Sequence, residues 1–228
     1  MTTEATIIDQ CHRLAKAVAP ELGPFYIFGS VPPDVPRPEH STGWANARQT
    51  CPLLKRFLLE RGEWRGPAAQ IVLDLERSDL EPLALFCHEL AHCLPSATVA
   101  DVETSDRAIQ IATGWQELAA RVSYETLTEF ESHGDCTPWA GDHGDRFLRV
   151  LLHVVDRAYR AGFSFPLCEI AAGARYGLSA ISAYSRALGD EPERLRNLTF
   201  AEIETVPAPE EFRALWTADM ARYLGSSI

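Results

Sequence analysis

The sequence predicts an α+β domain, with short strands in its first third and helices after them. Three observations predict it. Two apolar, β-branched or aromatic runs, "PFYIFGS" and "AAQIVLDLE", sit between proline- and glycine-rich breaks early in the chain. From residue 80 onward the apolar residues recur at helical spacing instead. No internal repeat or low-complexity tract interrupts this change of period.

The elements follow in order. Residues 7–18 place Ile7, Ile8, Cys11, Leu14, Ala15 and Val18 on one helical face, and Pro20 stops that helix. "PFYIFGS" is a strand, and "VPPDVPRPEH", with its four prolines, is an extended loop. "PLLKRFLLERG" is a short helix that ends at Gly62. "AAQIVLDLE" is a second strand, bounded by Gly66-Pro67 and Ser78-Asp79. A helix over 80–94 follows, capped by Asp79 or Ser78, with Pro82 in its first turn and Pro95 beyond its end. Residues 106–131 carry an apolar stripe through Ile111, Trp115, Leu118, Val122 and Phe130 and form a long helix. "SHGDCTPWAGDHGD" is a loop, and residues 145–160 form a strong helix that stops at Gly162. The remainder holds three shorter helical patterns broken by "GDEP" and "VPAPE". The division expected is a domain over 1–165 with a helical C-terminal extension, 166–228, packed on it.

The 228 residues include 46% hydrophobic and 23% charged, which is ordinary for a globular protein with a core of its own. No apolar run reaches the roughly 18 residues that cross a bilayer, and the N-terminus lacks a basic-then-apolar leader, so a cytoplasmic protein without membrane contact is expected. None of the six cysteines forms C-x-x-C, which argues for free thiols in a reducing compartment. A net charge of −11 repels phosphate backbones and disfavours nucleic acid as a partner.

The chemistry lies in "LFCHELAHCLP", where His88-Glu89-Leu90-Ala91-His92 reads H-E-x-x-H. Residues four apart share a helix face, so His88 and His92 can direct their imidazoles at one ion. Glu89 lies about 100° further round the helix and reaches a water on that ion rather than the ion itself. Zn2+ with three protein ligands keeps a position for water, and a carboxylate beside it serves as the general base for attack on a peptide carbonyl. Composition alone would yield the pattern in about 2% of such chains, and its seat on a helix after a strand argues against chance. A purely structural zinc site would close all four positions and need no Glu89.

A third ligand must come from elsewhere. Pro95 and Thr98 stand where a metzincin would have glycine and histidine, which excludes that class. Three downstream candidates remain: Glu117 in "GWQELAARV", His133 in "SHGD", and His143, which is followed by Gly144 and a strong helix. Glu117 would make a thermolysin-like ligand set.

"HELAH" followed by "HGDRF" resembles the SprT-like and Spartan-like zinc metallopeptidases, whose pattern is H-E-x-x-H and then a histidine in H-G-x-x-F or H-G-x-x-W. The resemblance covers about residues 25–162. It implies a zincin-like fold with a small sheet before the H-E-x-x-H helix and mainly helices after it. It further implies His88, His92 and His143 as zinc ligands, Glu89 as the catalytic acid–base, Phe147 as the aromatic after the third ligand, and a protein or peptide substrate. "GWANARQ", around Trp44, falls near the cleft edge on the same ground.

Other features read more plainly. Cys87 and Cys93 are small buried hydrophobes. Asp142 and Asp145 flank His143; either would accept a ligand's second ring N–H, and Asp145 equally suits a helix N-terminus. His12, His40 and His153 are single histidines to which no chemistry is assigned. Residues 169–189 resemble a helix-turn-helix, but the second helix offers only Arg186 as a cation, so two packed core helices are expected there rather than a DNA-binding module. A catalytically silent zinc-binding module is the remaining alternative.

Overall fold

The computed structural model describes residues 3–32, 35, 42–46, 52–94, 145–173, 178–191 and 193–225. It is an α+β fold in which a three-stranded sheet precedes a mainly helical remainder. The expected long helix over 106–131 and the loop after it lie outside the described residues.

Helix α1 (Glu4–Val18) starts earlier than its apolar stripe suggests, because the Thr3 hydroxyl caps it by accepting from the Thr6 N–H at 3.3 Å. Strand β1 (Phe25–Phe28) follows, then β2 (Gly43–Asn46), α2 (Pro52–Glu60) and β3 (Ala69–Leu73). The strand order is β1-β3-β2, with β1 parallel and β2 antiparallel to the central β3. β2 is absent from the expectation. Its four residues include a glycine, an alanine and an asparagine, which are weak strand formers, and pairing with β3 holds them extended.

Side chains alternate across the sheet and divide the core. Ile71 and Leu73 of β3 join α1 and helix α3 (Pro82–Cys93) in the main core. Val72 turns to the other face and packs with Phe28, Leu54 and Leu58 under α2. Ala45 faces the main core and Trp44 the α2 side.

The cap of α3 is Glu81, not Asp79 or Ser78. Pro82 takes the first helical position and biases the residue before it to extended backbone, so Glu81 (φ −60°, ψ 127°) becomes the cap and accepts from the Ala84 N–H at 2.9 Å. Ser78 accepts from Leu80 N–H instead, at 3.1 Å. α3 is buried on nearly every side and packs against α1, β2, β3 and the helices that follow.

Helix α4 (Asp145–Arg160) matches its expected bounds and ends at Gly162, whose φ of 88° suits a glycine stop. Beyond it, where three helical patterns are expected, five helices are described: α5 (Leu167–Gly173), α6 (Leu178–Gly189), α7 (Glu193–Arg196), α8 (Phe200–Thr205) and α9 (Glu210–Gly225). Thr199 and Glu202 form a capping box that starts α8 independently of any long apolar stripe. Ile170, Phe200 and Ile203 enter the same core as α3, while Leu148 and Leu152 of α4 pack with Ile181, Tyr184 and Phe212 in a second cluster. Arginines of α4 tie the extension down. Arg149 donates to the carbonyls of Ile203 and Val206, and Arg157 donates to that of Leu198 and lies over the Phe200 ring at 4.2 Å.

Candidate metal centre

His88 and His92 sit one turn apart in the second half of α3, His88 buried and His92 half-buried. Their Nε2 atoms approach to 3.3 Å. Without a cation, that contact is a ring-to-ring hydrogen bond whose direction depends on the tautomer. Two nitrogens at about 2.0–2.1 Å from one tetrahedral zinc ion stand about 3.3–3.4 Å apart, so the pair already has the spacing that zinc requires. The donor chemistry fits as well, since neutral imidazole is a common zinc ligand.

Phe147, in the first turn of α4, holds the pair in place. Its ring stacks on His92 at 4.3 Å between centroids and 23° between planes, and meets His88 edge-on at 5.0 Å. The start of α4 is thereby packed directly on the two histidines. Asp145 is the first residue of that helix, and its Oδ1 accepts from the Arg146 N–H at 2.9 Å.

Glu89 is 4% exposed and points to the strand side of α3. Burial pushes its carboxyl up to about 8 from an ordinary value of 4.5. Gly43, buried on β2, lies against it. The segment around Trp44 is expected near the cleft edge, with no role for Gly43; nothing in the sequence singles that glycine out, because its place depends on β2 lying against α3.

His143, Glu117 and His133, the three candidates for the third ligand, lie outside the described residues, as do Asp142 and His40. Among the described residues no group of three His, Cys, Asp or Glu is close enough together to hold a metal. Cys87 and Cys93 are buried, free thiols that desolvation pushes up, Cys93 to about 12, as expected for small hydrophobes.

Two histidines are not the isolated groups they seem in the sequence. His12 packs on the Phe25 ring at 5.1 Å. His153, fully inside the protein, has its Nε2 3.6 Å from Glu191, whose other oxygen is 3.5 Å from Arg149. The helix-turn-helix-like segment forms α5 and α6, and α6 turns Ile181, Tyr184, Ala187 and Leu188 into the core while Arg186 is exposed.

No protein-family model, curated protein or solved structure matches this chain. No helix among the described residues is long and apolar enough to cross a membrane.

Proposed function

We propose that this protein is a zinc-dependent metallopeptidase of the SprT-like, zincin-like kind, acting on protein or peptide substrates in the cytosol. His88 and His92 hold the zinc with His143 as third ligand, and Glu89 is the acid–base. The observation that carries this reading is the 3.3 Å approach of the two Nε2 atoms, with the buried Glu89 next to His88 in the chain.

The choice of His143 rests on the H-G-x-x-F resemblance and on chain reach. Phe147 packs the first turn of α4 on both imidazoles, and His143 precedes Asp145 by two residues, a span of about 7 Å when extended. Glu117 lies 28 residues before Asp145 in the sequence, so no comparably short stretch links it to α4.

A bound zinc supplies the Lewis acid that activates a water and polarises the substrate carbonyl. Glu89 takes the proton of the attacking water and returns it to the leaving amine. Its burial suits both roles: the carboxyl sits high without a cation, and a cation beside it draws that value down towards neutrality. β2 is one of the two outer strands of the described sheet and runs beside Glu89, so an extended peptide could add to it through backbone hydrogen bonds.

The test is Glu89→Gln, assayed on a reduced, denatured protein. The variant should keep its zinc and lose at least about 100-fold of the parent's hydrolysis rate. Equal rates in the two proteins would remove Glu89 from the chemistry. His143→Ala and Glu117→Ala, each analysed for metal, separate the two ligand sets: zinc lost from the first and kept by the second supports His143, and the reverse supports Glu117.

A further inference from the structure

Gly43 is buried where β2 runs against α3. A methyl group placed on it would stand 2.9 Å from Glu89 Oε1, 3.2 Å from Glu89 Cγ and 3.1 Å from Leu85 Cδ1. The first of these is closer than Cβ atoms come in proteins, and the other two are tight. Gly43 does not belong to the glycines with positive φ (Gly62, Gly66 and Gly162), so the demand here is for space rather than for a special backbone conformation.

What would yield to such a methyl follows from the surroundings. β2 is anchored by its pairing of Gly43 with Leu73 and by the Asp74 N–H, which donates to the Thr42 carbonyl at 2.7 Å. Leu85 and the root of Glu89 belong to the fully packed α3. The carboxylate end of Glu89 has the most freedom, so it is the part that swings away.

We propose that Gly43 is a positioning residue for Glu89: its missing side chain lets the backbone of β2 form the wall that sets where the carboxylate lies. The role in catalysis rests on the reading of Glu89 as the acid–base, whereas the contact itself does not. A displacement on the order of 1 Å at a catalytic group can cost about 100-fold in rate.

Two measurements on the full chain test this. The first is thermal unfolding of the metal-free parent, Gly43→Ala, Glu89→Ala and the double variant. Gly43→Ala should lower the midpoint by about 2–4 °C in the parent. In the Glu89→Ala background the loss should shrink or reverse, because the shortened side chain vacates the space. Equal losses in both backgrounds would overturn the contact. Should Gly43→Ala fail to fold, recovery of folding in the double variant supports the proposal, and failure of both overturns it.

The second measurement uses the zinc-loaded protein. Gly43→Ala should keep the parent's zinc content and KM while kcat falls by at least about tenfold. An unchanged kcat would overturn the positioning role. A parent that hydrolyses nothing counts against the proposed function, and the unfolding cycle then still decides whether Gly43 places the carboxylate.

Discussion

α3 and α4 each turn inward a polar pair spaced by four residues, and the two pairs are balanced differently. On α4, Arg149 and His153 face Glu191, so a cation, an anion and an imidazole meet inside the protein. Burial lowers the Arg149 guanidinium from its ordinary value, and the Glu191 carboxylate opposes that shift. On α3, His88 and His92 face each other, and burial raises the neighbouring Glu89 carboxyl. A buried cluster that contains its own counter-charge serves the fold. Under the proposed function, the charge that accompanies the α3 groups is the zinc ion. Both arrangements answer the cost of burying polar groups, and the α3 residue types are those of the proposed zinc site.

The largest effect that sharpens this contrast is in stability. Glu191→Ala leaves the Arg149 charge buried and should destabilise the protein by about 3 kcal/mol in urea unfolding. That is the low end for breaking a buried pair, because Arg149 keeps the carbonyls of Ile203 and Val206 as acceptors. Glu89→Gln in the metal-free protein should cost nothing comparable, since it removes a group that burial disfavours in its charged form. Similar losses in the two variants would break the comparison.

A second effect, smaller per pH unit, is in pH dependence. In the metal-free protein the Glu89 carboxyl holds its proton up to about 8, whereas the unfolded chain releases it near the ordinary value of 4.5. Between those values the folded state binds more protons, so this group makes stability fall as pH rises, by at most about 1.4 kcal/mol per pH unit. Urea unfolding across that window should show a shallower fall for Glu89→Gln than for the parent. Identical slopes would mean that Glu89 is not buried as described.

The smallest effect is at Phe147. Phe147→Leu keeps an apolar side chain but removes the stacked ring from His92. It should weaken zinc binding on the order of tenfold, measured by competition with a chelator, by analogy with groups that orient metal ligands. Unchanged affinity would assign Phe147 to packing alone.

Much of the fold is legible in the sequence where one physical signal dominates. The stripe of Phe147, Val150, Leu151 and Val154 and the stop at Gly162 define α4. The β-branched run of β3 and the helical seat of the H-E-x-x-H motif are equally plain. What is not legible depends on partners distant in the chain. β2 exists because β3 pairs with it. His153 gains its place from Glu191, a residue in what reads as a simple helix break. Gly43 matters only once β2 is laid on α3. The cap of α3 failed for a local reason: the effect of Pro82 on Glu81 outweighs the better capping chemistry of Ser78 and Asp79.

The most direct measurement is the zinc content of the protein purified without added metal, compared with that of His88→Ala and His92→Ala. The account predicts about one zinc per chain in the parent and essentially none in either variant, with folding checked by circular dichroism. Zinc retained at full occupancy in both folded variants would place the metal elsewhere and contradict the account.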